Sequence, residues 1–227
     1  MFDRTRLRNK SLEQQREYTL LFDFDGTLAD TLEKIIVIYN RLSKKHGFPA
    51  VSVSEVEQLR GKSAREVMSA LPIAKVKLPF LLAEGRKLFE EDLETILVFA
   101  GLKEVLISLS KEYRLGIVTS NEATKVKKFL LRHEIDYFDF IYADKSLFGK
   151  GKIIRQVLKK YELKAKDVVY VGDEVRDIEA AREGKIRIIS VTWGFNSKKV
   201  LQEHNPDFLI DKPSQLRTIK VFSSKKK

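Results

Sequence analysis

Apolar positions fall into two rhythms along this chain, and the change between them divides it. Residues 18–22 form an apolar run that stops at Asp23, Asp25 and Gly26. Continuous apolar character predicts a strand covered on both faces. Alternation along it puts Asp23 and Asp25 on one side, at the edge where open α/β sheets hold ligands. Gly26 permits a sharp turn and close backbone approach there. Residues 32–46 carry Leu32, Ile35, Ile36, Ile38, Tyr39 and Leu42 at helical spacing, with Gly47 as the stop. Asp30 and Thr31 are expected to cap that helix. Ser52 with Glu55, Ser54 with Glu57 and Ser63 with Glu66 give three overlapping capping-box starts. Pro72 and Pro79 break the segment that follows, and residues 80–96 read as a longer helix. With no strand signal between residues 33 and 97, that stretch reads as a helical insertion.

After Gly101 helices and strands alternate. Helical spacing covers 102–111, 122–134, 152–161 and 178–183; apolar strands fall at 115–119, 138–142, 168–171, 186–191 and 208–210. This order predicts an α/β fold with a parallel sheet assembled from crossover units.

Composition narrows the setting. The 227 residues include no cysteine, which excludes disulfides and thiolate metal sites and fits a reducing cytoplasm. No apolar run approaches the roughly 18 residues of a membrane span, and the polar, arginine-rich residues 1–17 lack a secretory apolar segment. The net charge is +11, and residues 212–227 hold six basic residues and no acid. That tail is expected to be a solvated end. The charge suits steering of an anionic substrate, with nucleic-acid binding the weaker alternative.

Chemistry-bearing residues collect at strand ends: Asp23 and Asp25, then Thr119 with Ser120 and Asn121, then Lys150, then Asp173 and Asp177. Parallel strands bring these ends to one edge. Several carboxylates, a hydroxyl and a lysine suit a hard divalent cation beside a phosphate group. The lysine is drawn from Lys150-Gly151-Lys152, with Lys150 preferred. In the helical insertion, the basic turn containing Arg60, Gly61 and Lys62 either is a solvated helix start or meets a remote anionic group. His46, His133 and His204 show no metal-ligand spacing, and Trp193-Gly194-Phe195 reads as packing.

The Asp-Phe-Asp-Gly-Thr-Leu-Ala-Asp-Thr block at 23–31, the Thr119 strand end, Lys150 and the Gly-Asp-x-x-x-Asp block at 172–177 resemble the four ordered motifs of the haloacid dehalogenase superfamily. The likeness is nearest to its phosphoglycolate-phosphatase-like members and runs from about residue 20 to residue 216. It implies a Rossmann-like core at 1–32 and 98–227, with an all-α helical cap at 33–97. It further implies Asp23 as a nucleophile forming an aspartyl-phosphate, and Asp25 as acid and then base. Mg²⁺ would be held by Asp23, the Asp25 carbonyl and Asp173, with Asp177 orienting the waters the ion keeps. Thr119 and Lys150 would clamp the phosphoryl group, and Gly26, Thr27, Ser120, Asn121, Arg60 and Lys62 would contact substrate. Ser120 stands where many relatives carry asparagine, which here follows as Asn121. The implied activity is hydrolysis of a small phosphomonoester by a cytoplasmic monomer or homodimer. A phosphomutase on the same scaffold is the nearest alternative, and a basic nucleic-acid-binding or regulatory module the more distant one.

Overall fold

The computed structural model describes residues 16–92, 95–144 and 149–219. The end of the lysine tail and most of the polar amino-terminal stretch lie outside the described residues. Six strands form one parallel sheet in the order β3-β2-β1-β4-β5-β6. They are β1 (Thr19–Phe22), β2 (Arg114–Thr119), β3 (Phe140–Ala143), β4 (Val168–Gly172), β5 (Arg187–Val191) and β6 (Phe208–Ile210). All four residues of β1 are buried, as expected for the central strand of a covered sheet. The strand order reverses between β1 and β4, so their carboxyl ends border the switch point where such sheets leave a crevice.

Pleating sorts the strand residues into two cores. Leu20, Phe22, Ile117, Val169 and Val171 pack with Leu106, Phe129 and Leu130 on one face. Leu21, Val118, Val168 and Tyr170 pack with Ile154, Val157 and Ile178 on the other. The covering helices are α5 (Leu102–Glu112) and α6 (Ala123–Arg132) for the first face, and α7 (Lys150–Lys160) and α8 (Val175–Gly184) for the second.

Between β1 and α5 the chain forms α1 (Leu32–His46), α2 (Val53–Arg60), α3 (Ala64–Ala70) and α4 (Leu78–Asp92). It leaves the core beside the place where it returns: Ala29 bridges Val98, and the Asp30 N–H donates to the Leu97 carbonyl at 2.9 Å. Helices α1 and α4 pack closely, with the Gly85 backbone facing Leu42. Gly47 ends α1 at φ +73°, a left-handed conformation glycine adopts freely.

Several local expectations are corrected. Ser52 and Ser63 form true capping boxes with Glu55 and Glu66, but Ser54 lies inside α2 and starts nothing. The helix expected from residue 80 starts two residues earlier, because Pro79 fits the first turn of α4, where its missing N–H costs no bond. Thr31 occupies the cap position of α1 without a side-chain cap bond. The six-residue helix α9 (Lys198–Glu203), capped by Ser197, escaped the periodicity reading.

Candidate active site

The carboxyl ends of β1, β2 and β4 converge with the start of α7. Asp23 directly follows β1 and is 4% exposed. Its Oδ1 accepts the Phe24 N–H at 2.8 Å, and its Oδ2 accepts from Lys150 Nζ at 2.5 Å. Lys150 also donates to Asp177 Oδ1 at 2.5 Å. Asp177 Oδ2 accepts the N–H groups of Asp173 and Glu174, each at 3.0 Å, which closes the turn after β4. Lys150 is the first residue of α7, preceded by Gly149 at φ +89°. Lys152 is exposed on the same helix.

Asp25 departs from the expected strand alternation. The strand ends at Phe22 and the chain turns through Gly26 at φ +73°, so the two acids reach different partners. Asp23 meets Lys150, beside β4; Asp25 Oδ2 accepts from Asn121 Nδ2 at 2.7 Å, beside β2, while Oδ1 is buried with no partner among the described residues. Thr119 is buried, and its Oγ1 accepts the Asn121 N–H at 3.0 Å. Asn121 therefore does the holding, and Ser120 lines the neighbouring cleft.

Asp23, Asp173 and Asp177 each offer an oxygen, and these oxygens lie within 4.8 Å of one another. Asp173 is fully buried; its Oδ1 accepts from Thr27 Oγ1 and its Oδ2 from the Phe195 N–H, both at 2.7 Å. Gly26 lies so close that an added Cβ would come within 2.2 Å of Asp173 Oδ2. Gly26 and Thr27, expected at the substrate, are thus turned to Asp173.

The electrostatics are strongly lopsided. Asp23, Asp25, Asp173, Glu174 and Asp177 are accompanied by two cations, Lys150 and Arg176, among the described residues. Burial raises the Asp23 carboxyl above its usual range against the pull of Lys150. Asp173 is raised well above it by burial, Glu174 and Asp177. Burial and then the Asp23 charge push Asp25 up to about 7. Burial works against the Lys150 charge, yet Asp177 and Asp23 hold it well above its ordinary value. Buried carboxylates that outnumber their paired cations are a costly arrangement that a divalent cation relieves. All are oxygen donors, as Mg²⁺ prefers, so the residues fit such an ion.

A cleft of about 510 Å³ opens beside this cluster, bordered by Asp25, Ser120, Asn121 and Arg176 from the core and by Tyr39, Leu82 and Arg86 from the helical cap. Arg176 escaped the sequence reading, although its place inside the 172–177 acid block was a signal; it pairs with Glu174. Arg60 does not border this cleft: Nε donates to the Phe195 carbonyl at 3.2 Å and Nη2 to the Gly194 carbonyl at 3.1 Å. The Lys62 carbonyl accepts from Asn196 Nδ2 at 2.7 Å, and Lys62, like Arg60, borders a separate apolar hollow beside α1, α2 and α3. Of the Trp193-Gly194-Phe195 stretch read as packing, Trp193 packs against the core, while Gly194 and Phe195, with Asn196 beside them, bond the cap and Asp173.

A fold of this order with acids at the β1 and β4 ends defines a class, and residues 20–191 match the haloacid dehalogenase-like hydrolase family model. The chain belongs to that family. It is 31% identical to the phosphoglycolate phosphatase of Synechococcus elongatus over 87% of this chain and 94% of that one. With the phosphoglycolate phosphatase of Vibrio parahaemolyticus it shares 26% identity, covering 94% of this chain and all of the relative. A haloacid dehalogenase-like hydrolase of Streptococcus pneumoniae has the same fold, with TM-score 0.78, 24% identity and coverage of 88% and 97%. The family and its curated phosphatase relatives make the protein a phosphoric monoester hydrolase. No helix among the described residues is long and apolar enough to cross a membrane.

Proposed function

We propose that this hydrolase is a Mg²⁺-dependent phosphatase for small anionic phosphomonoesters, with phosphoglycolate the leading substrate, working through an aspartyl-phosphate on Asp23. The observation that carries the reading is the convergence of Asp23, Asp173, Asp177 and Lys150 on one buried cluster at the sheet edge. Residues 33–97 act as the cap over it, in keeping with the Ala29–Val98 bridge where the insertion begins and ends.

Asp23, Asp173 and the Asp25 carbonyl would hold the ion, and Asp177 would steady its surroundings through Lys150 and the 173–174 backbone. When bound, Mg²⁺ neutralises phosphoryl oxygens and lets one anion approach another. An Asp23 oxygen forms a bond to phosphorus as the ester P–O bond breaks. Asp25 gives its proton to the departing alcohol oxygen; a pKa of about 7 keeps a large share protonated near neutrality. Asn121 occupies Oδ2, leaving Oδ1 to carry that proton. Asp25, now ionised, takes a proton from the water that attacks phosphorus, and phosphate leaves with the Asp23 carboxylate restored. Lys150 and Thr119 hold the phosphoryl oxygens. Arg176 and Arg86, which border the cleft, supply cations for a second anionic group on the substrate.

The test is phosphate release from a panel of phosphomonoesters by purified protein with Mg²⁺ or with a chelator. Release is expected to be greatest for small carboxylated esters and to stop with chelator. Turnover indifferent to chelator, or no release from any monoester, would overturn the reading.

A further inference from the structure

The loop after β5 touches both the cap and the acid cluster. Asn196 is 3% exposed and uses each polar atom of its side chain. Its Oδ1 accepts the N–H of Val175, the first residue of α8, at 2.9 Å. Its Nδ2 donates to the carbonyls of Arg60 at 3.2 Å and Lys62 at 2.7 Å, in the turn between α2 and α3. The Ser197 N–H adds a bond to the Arg60 carbonyl at 2.8 Å. Arg60 returns two donors to the Gly194 and Phe195 carbonyls. On its inner side the same loop holds Asp173. The Phe195 N–H meets Oδ2 at 2.7 Å, the Asn196 N–H meets the Asp173 carbonyl at 3.3 Å, and a Cβ on Gly194 would come within 2.2 Å of Oδ2.

We propose that residues 194–197 form a strap coupling the seating of the cap to the orientation of the Asp173 carboxylate, with Asn196 and Arg60 as positioning residues. Among the described residues the Arg60 guanidinium bonds the strap carbonyls and Glu57 of its own helix, so it reaches Asp173 through backbone alone. Withdrawing the cap would strip partners from the Asn196 amide and from two strap carbonyls at once, loosening the N–H that fixes Asp173 Oδ2. Such coupling is reciprocal: whatever favours the seated cap favours the metal-binding geometry of Asp173, and the reverse. The metal half rests on the proposed Mg²⁺ site; the cap half does not.

The experiment measures Mg²⁺ affinity by calorimetry without substrate, and hydrogen exchange of segments 58–66 and 173–176 without metal. It compares wild type with Arg60→Gln, Asn196→Asp and Lys62→Ala. Asn196→Asp keeps the acceptor for Val175 and removes both donors to the cap. Arg60→Gln and Asn196→Asp are expected to weaken Mg²⁺ binding roughly ten-fold and to speed exchange in both segments. Lys62→Ala should change neither. If Arg60 contacted substrate, or served stability alone, its variant would show altered KM or melting with Mg²⁺ affinity unchanged, and the strap would be refuted. Absence of Mg²⁺ binding by wild type would sink the proposed metal site. The strap would then stand or fall on whether Arg60→Gln speeds exchange at 173–176 as well as at its own end.

Discussion

Lys150 Nζ sits 2.5 Å from Asp23 Oδ2, joining the first residue of α7 to the acid that ends the central strand. A lysine at a helix amino terminus opposes the helix dipole, and α7 has no acid in its first turn to offset it. Asp23 and Asp177 supply that compensation instead. An unfavourable local choice tolerated for a buried partner marks a functional position.

Lys150→Ala is therefore expected to lower kcat by roughly 10²–10³-fold, the range for losing one charged group that stabilises a transferring anion. Lys152→Ala, on the exposed side of the same helix, should leave kcat within about two-fold. Steady-state kinetics on both variants decides between the lysines, and the reverse ranking would reassign the phosphate-binding role to Lys152.

Gly26 is held in a left-handed conformation against Asp173. Gly26→Ala must strain the backbone and displace a buried carboxylate, so a stability loss of about 1–3 kcal/mol is expected. Weakened Mg²⁺ binding should accompany it. Urea unfolding and calorimetry measure the two, and an unchanged Mg²⁺ affinity would separate the turn from the metal site.

Asp25 provides the pH test. Burial and then the Asp23 charge raise its pKa from 3.8 to about 7. A carboxyl raised on folding contributes stability that is complete below its unfolded pKa and is lost as pH climbs through the folded one. The metal-free protein should lose stability between about pH 4 and pH 7 relative to Asp25→Asn, by at most about 4 kcal/mol. Urea midpoints across that range check this, and parallel curves for the two proteins would contradict it.

The sheet and most of its helices were legible because their signals are local. A largely apolar β1, capping boxes at Ser52 and Ser63 and a glycine stop at Gly47 each declare themselves within a few residues. The order of Asp23, Thr119, Lys150 and Asp173 along the chain was likewise readable. What failed depended on tertiary contact. The α9 helix is too short for periodicity and is held by burial of Val200 and Leu201. Asp25 turns to Asn121 because the strand stops early, Arg60 spends its donors on backbone carbonyls 134 and 135 residues away, and Asn196 lies in a loop with no local signal. Composition carries no trace of such pairings.

Covalent capture at Asp23 tests the central claim most directly. Protein turning over phosphoglycolate with Mg²⁺ is quenched in acid, reduced with borohydride, digested and read by mass spectrometry. The expected result is conversion of Asp23 to homoserine, dependent on both Mg²⁺ and substrate and absent from Asp23→Asn, which should be folded and inactive. Steady turnover with the label on another residue, or undiminished activity in Asp23→Asn, would contradict the account.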